Sequence, residues 1–150
     1  MKVDPVALSE LIKHISEIEI SFDPTYQYLS QEQRNNSVLY SISSSFAELS
    51  AIDIKLLGIP IMAIKRDRII LLPGILLAIA NFKTAKFSFI KLIELTKGRS
   101  VHTNKRDGQY LAIDQFNRVF AFGTVLNQKF NPIIDLGWYL RNDDFYESIL

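Results

Sequence analysis

The chain of 150 residues has no cysteine. Disulfides, thiolate metal sites and cysteine nucleophiles are therefore excluded, and a reducing compartment is favoured. A cytoplasmic location is the expectation. Histidine is scarce as well, with only His14 and His102. His14 has Glu10 at i−4 and Glu17 at i+3, the spacing of a surface helix pair. His102 sits among bases and makes a poor cation ligand. Long apolar runs are missing too. The longest, Ile69 to Ala80, is interrupted by Pro73-Gly74 and falls short of the roughly 20 residues that cross a bilayer. It reads as buried core, so no integral membrane segment is expected. Glu10, Glu17 and Glu19 follow Asp4-Pro5 where a secretory signal needs an uncharged run, so no signal is expected.

Chemistry-bearing motifs are equally thin. There is no GxGxxG and no P-loop. Asp143-Asp144 are neighbours on an expected helix and point in different directions. Asp53 with Lys55 lacks the second acid and the Glu-x-Lys unit that would hold a metal and position water. A serine or threonine nucleophile needs a histidine and a third orienting group, and no pattern places one. The expectation is a protein that is not an enzyme, with no catalytic residue, no metal and no cofactor. An enzymatic reading would require a substrate pocket converging on His102 or Asp114.

What is present is a sorted charge. Residues 65–106 hold ten bases against two acids, Asp67 and Glu94, a net of +8. The segment before is net −4 and the one after net −3, so the near-neutral total of +1 hides a basic middle. Gathered on one face, such a middle attracts anions over roughly 8 Å at physiological salt. Its most polar stretch runs from Thr96 to Gly108. There Lys97, Arg99, His102, Lys105 and Arg106 are interleaved with Ser100, Thr103 and Asn104, residue types that contact phosphate oxygens or acidic side chains. These five are the candidate partner- or phosphate-binding residues. Few aromatics accompany them, so stacking on single strands is not expected.

Composition and length favour one folded domain over 1–150, with 48% hydrophobic residues and no linker rich in Gly, Ser or Pro. Asp4-Pro5 opens a first helix with Leu8, Leu11, Ile12, Ile15 and Ile18 as its stripe. Ser30 with Gln33 has the form of a capping box, and a second helix burying Val38, Leu39, Ile42, Phe46 and Leu49 is expected after it. Ile52, Ile54 and Leu56 alternate as in a strand, with a continued helix as the alternative. Ile61–Ile64 and Arg68–Leu72 form an expected hairpin around Lys65–Asp67. Gly74 to Phe82 reads as a short helix, and Phe87 to Leu95 as a central strand. Tyr110–Ile113 and Arg118–Val125 make a second hairpin, Asn127 to Pro132 a loop, and Leu136 to Leu150 a closing helix. The predicted fold is α+β: two N-terminal helices on a mostly antiparallel sheet, a short central helix and a C-terminal closing helix. Leu11, Ile15, Val38, Ile42, Phe46, Ile61, Ile64, Leu77, Phe89, Ile93, Leu111, Ile113, Phe120 and Trp138 are its expected core.

Two windows resemble known families. Asp107-Gly108-Gln109-Tyr110-Leu111-Ala112-Ile113-Asp114, then Arg118-Val119-Phe120, then Phe145 to Leu150, is similar to the end of SUKH-type immunity proteins. That pattern has a glycine-containing turn, a strand ending in an acid, a strand opening on Val-aromatic, and a closing helix. The family's Leu-Pro and Asn-Gly near the second helix are missing. Pro60 to Leu95 resembles the strand–turn–strand–Gly–helix–strand unit of the ParB/sulfiredoxin fold. Where that family places phosphate-binding residues after the glycine, Gly74 is followed by Ile75, Leu76 and Leu77. The first resemblance implies an immunity-type or regulatory protein that masks a partner protein; the basic middle suits a non-catalytic binding protein whose partner has an acidic surface. The second implies a nucleic-acid-associated protein that uses the basic middle for backbone contacts.

Overall fold

The computed structural model describes residues 1–34, 36–43 and 58–142. They form a mixed α+β fold of two compact units, each with its own five-stranded sheet, and the boundary falls at Ala80/Asn81.

In the first unit Lys2–Val3 is β1 and Pro5–Ser16 is α1. The expected Asp4-Pro5 start is seen: the Asp4 carboxylate accepts from the Val6 amide at 3.3 Å. Leu8 and Ile12 are fully buried, and Leu11 and Ile15 half-buried, so the stripe faces the core as its spacing predicts. Gln27–Glu32 (β2) and Ser37–Ser43 (β3) follow where a second helix is expected. They pair antiparallel from Gln27↔Ser43 to Glu32↔Val38, and Asn36 turns the chain at φ 54°. The reason is local. Ser37, Ser41 and Ser43 are poor helix formers, while a strand lets Ser37, Leu39 and Ser41 share one face. Ser30 and Gln33, the apparent capping box, end up in and just after β2. Phe46, Leu49, Ile52, Ile54, Leu56, Asp53 and Lys55 lie outside the described residues.

Ile59–Lys65 (β4) and Arg68–Leu71 (β5) make the predicted hairpin. Arg66 and Asp67 both take positive φ, the pairing that a two-residue turn needs. The sheet order is β1-β2-β3-β4-β5, antiparallel throughout. Ile75–Ala78 is α2, a single turn instead of the longer helix expected to Phe82. It stops because Ala80 donates its amide to Ser21 at 2.8 Å, joining the chain to another segment. Gly74 is required there, since a Cβ would lie 2.2 Å from the Pro60 carbonyl oxygen. Ile42 and Ile61 are buried as predicted, and Val38 and Ile64 half-buried. Leu77 is exposed, because one turn can bury only one side.

In the second unit Thr84–Lys86 (β6), Phe89–Thr96 (α3), Val101–His102 (β7), Gly108–Ile113 (β8), Val119–Leu126 (β9), Lys129–Asp135 (β10) and Trp138–Arg141 (α4) follow in order. The sheet runs β6-β8-β9-β10-β7, antiparallel except for the parallel pair β6–β8. The predicted 110–125 hairpin is present as β8–β9. The segment read as a central strand is instead the helix α3. Leu92 and Leu95, three apart, are buried, while Phe89, Ile90 and Ile93 are exposed. An almost wholly apolar run satisfies the strand period and the helix period alike. The ends decide it: Ser88 precedes the helix and Gly98, at φ 75°, follows it. Leu111 and Ile113 are buried as expected, and Phe120 and Trp138 half-buried.

The expected loop from Asn127 to Pro132 is a second hairpin. Asn127 and Gln128 take positive φ at its turn, and β10 carries Pro132. Proline is tolerated because β7 pairs only with Lys129 and Phe130, leaving Pro132 no strand neighbour on that side. Gly123 stands opposite, where a Cβ would be 2.3 Å from the Asn131 carbonyl oxygen and 2.8 Å from the Phe130 ring. Of the closing helix, Trp138–Arg141 is described; Asp143, Asp144 and the segment to Leu150 lie outside the described residues. No helix among the described residues is long and apolar enough to cross a membrane.

Candidate functional site: a basic cleft beside an apolar one

Folding divides the basic middle. Lys65, Arg66 and Arg68 belong to the β4–β5 hairpin of the first unit, while Lys83, Lys86, Lys91, Lys97, Arg99, Lys105 and Arg106 belong to the second. Within the second unit they divide again. Lys83 lies over the Tyr110 ring, 4.8 Å from its centroid. Lys97 and Arg99 close on Glu94 at 3.5 and 3.0 Å at the C-terminal end of α3. The Arg99 hydrogen bond is the main cause that holds the Glu94 carboxyl below its usual range. These cations are partly spent on neighbours.

Lys86, Lys91 and Lys105 are arranged differently. With Phe87, Ser88, His102, Thr103 and Asn104 they line an open cleft of about 480 Å³. Among the described residues no carboxylate lines it. Lys86 is supplied by the end of β6, Ser88 and Lys91 by the start of α3, and His102 to Lys105 by the chain leaving β7. Lys91 Nζ donates to the His102 carbonyl oxygen at 2.9 Å, tying two of these walls together. The Thr103 hydroxyl accepts the Lys105 amide at 3.2 Å and shapes the wall that leaves β7. Ser88 makes no side-chain cap to α3, so the positive end of that helix is not satisfied by its own cap. Three ammonium groups with no counter-charge among the described residues make the cleft attractive to carboxylates or phosphates.

Of the five predicted site residues, the structure brings His102 and Lys105 into this cleft. Lys97 and Arg99 stand at the far end of α3 with Glu94. Arg106 is exposed, and its carbonyl accepts the Tyr110 hydroxyl at 2.9 Å. Ser88 and Lys91 escape a reading that places them on a central strand, and Lys86 one that leaves it just before that strand. Their signal was the helix start: from Ser88 at the cap, Lys91 falls one turn on.

A second cleft of about 220 Å³ is lined by Phe87, Ser88, Phe89, Leu92, Asp114, Gln115, Phe116 and Arg118. Phe87 and Ser88 thus stand between the two. Asp114 organises its rim. One carboxylate oxygen accepts the amides of Phe116 and Arg118, each at 2.9 Å, and the other takes Arg118 Nε at 2.6 Å. The Arg118 guanidinium lies 5.2 Å from the centroid of the Phe116 ring. His102 and Asp114, the two residues an enzymatic reading needs, line different clefts, and both Asp114 oxygens are occupied. Among the described residues no group of three or more His, Cys, Asp or Glu stands ready to hold a metal ion.

Burial pushes the Asp114 carboxyl up, but the Arg118 amide and guanidinium and the Phe116 amide outweigh it and hold the group below its ordinary range. A lowered carboxylate stabilises the fold above the ordinary aspartate range, and that stabilisation is lost as pH falls through the lowered value. Urea unfolding followed from about pH 5 to about pH 2 should show a steeper loss for the wild type than for Asp114→Asn. Equal slopes would show that the loop does not depend on this charge.

No protein-family model matches this chain, and no curated protein matches it.

Proposed function

We propose that the chain is a non-catalytic binding protein of the immunity or regulatory kind, which masks an acidic surface of a partner protein through the basic cleft. The observation that carries this reading is the cleft itself: Lys86, Lys91, His102 and Lys105 line it, with no carboxylate among the described residues. Charge concentrated in a concave site speeds encounter with an opposite surface and selects against like-charged ones. The resemblance to the end of SUKH-type immunity proteins adds support from the chain's own elements. β8 starts at Gly108 and is followed by Asp114, and β9 opens on Val119-Phe120. A basic recognition surface also suits an acidic partner better than a nuclease whose own cleft is basic.

The rival is contact with a nucleic-acid backbone through the same lysines. One experiment separates the two. Wild type and the Lys86→Ala/Lys91→Ala/Lys105→Ala variant are used to capture partners at low and high salt, and both are titrated with duplex DNA and single-stranded RNA. The expected result is a protein partner retained by the wild type and lost by the variant, with Lys97→Ala/Arg99→Ala close to wild type. If the wild type captures no protein but binds nucleic acid, with log K falling against log salt by about 0.9 per phosphate contact on duplex DNA and the variant's slope shallower, the rival replaces it.

A further inference from the structure

We infer that the two clefts form one recognition site for a short acidic peptide segment that carries a large apolar side chain. Its carboxylates meet Lys86, Lys91 and Lys105, and the apolar side chain seats between Phe89 and Phe116. The inference rests on the reading of the basic cleft given above and adds the apolar half.

Three observations carry it. The clefts are adjacent, since Phe87 and Ser88 line both. The apolar one is rimmed by aromatics that the fold leaves in solvent: Phe89 is 72% exposed and Phe116 67%. Neither is loosely held. Phe89 opens α3, which is anchored by buried Leu92 and Leu95, and Phe116 sits on the turn that Asp114 ties through two amides. Exposed aromatics on a rigid frame lose little entropy when covered, and such residues dominate binding at interfaces.

Charge selects the occupant. Among the described residues the basic cleft has no acid, whereas in the apolar cleft Asp114 and Arg118 pair at 2.6 Å and cancel. A ligand therefore needs negative charge at one end and none at the other. A peptide can be built so. A nucleic-acid strand brings a phosphate with every base, and the apolar cleft offers it no unpaired cation.

The probes are three capped octapeptides: one with three glutamates and a tryptophan, one with the glutamates and no aromatic, and one with glutamines and the tryptophan. Each is titrated into the full chain by fluorescence anisotropy, with Phe89→Ser/Phe116→Ser and Lys86→Ala/Lys91→Ala/Lys105→Ala as variants. All but one of the altered side chains are exposed, and circular dichroism confirms that each variant folds. The acidic tryptophan peptide should bind about tenfold tighter than either of the others. The phenylalanine variant should reduce it to the level of the purely acidic peptide, and the lysine variant should weaken both acidic peptides. If the lysine variant acts but the phenylalanine variant changes nothing, this inference is overturned while the basic-cleft reading survives. If the lysine variant changes nothing, or neither acidic peptide binds, both fall. If a single-stranded oligothymidylate displaces the tryptophan peptide and depends on Phe89 and Phe116, the site belongs to nucleic acid instead.

Discussion

Phe130→Ala should cost the second unit about 3–5 kcal/mol, measured by urea unfolding. Phe130 is fully buried on β10, and its ring meets Phe87 edge-on at 5.4 Å between centroids. It also fills the space above Gly123, the position on β9 with no side chain of its own. Truncation removes the ring and leaves a cavity that strands cannot close without breaking their pairing. Phe87 is one of the two residues shared by the clefts, so the same change should also weaken binding of the acidic tryptophan peptide. A loss below about 1 kcal/mol would mean that the unit repacks, and that Phe130 is not the support of Phe87.

Asp135→Ala should cost about 3 kcal/mol. The Asp135 side chain is 3% exposed and accepts three hydrogen bonds: the Gly137 amide at 2.8 Å and Arg141 Nη1 and Nη2 at 3.1 and 2.6 Å. Arg141 Nη1 also donates to the Thr96 carbonyl oxygen at 2.6 Å, where α3 ends. This clamp fastens the helix that carries Lys91 and Phe89 to β10 and α4. Removing the carboxylate strands a buried amide and a half-buried guanidinium, which costs more than the pair itself contributes. Amide hydrogen exchange should quicken over Leu92–Thr96 in the variant and less so in Asp135→Asn, which keeps one acceptor. Unchanged exchange across α3 would show that the helix is held by Leu92 and Leu95 alone.

The parts of the fold that were legible in the sequence are those specified by neighbours in the chain. Asp4-Pro5 and the stripe from Leu8 mark α1, because capping and period act within one helix. The β4–β5 and β8–β9 hairpins were legible because each has strand-forming residues on both sides of a short turn. The two largest departures have one cause. Val38 to Ile42 and Phe87 to Leu95 are segments whose apolar positions fit both periods, and there long-range pairing decides. Residues 37–43 find partners in β2 and β4, so they become a strand. Residues 89–96 have Leu92 and Leu95 to bury and no strand pairing, so they become a helix.

The candidate site follows the same division. The surplus of bases between 65 and 106 is a property of the sequence alone, and it bounds what the surface can attract. Which of those bases remain unspent is a tertiary outcome. Glu94 captures Lys97 and Arg99 because a helix end brings them within reach, and Tyr110 takes Lys83. Lys86, Lys91 and Lys105 come from a strand end, a helix start and a loop, separated along the chain and joined only by the folding of β6, α3 and β7. Phe116 lies beyond the basic segment in sequence, yet it shares a cleft with Phe89. Composition set the sign of the charge and the amount of apolar surface; only chain pairing over long sequence separations could bring the cleft lysines and exposed aromatics to either side of Phe87.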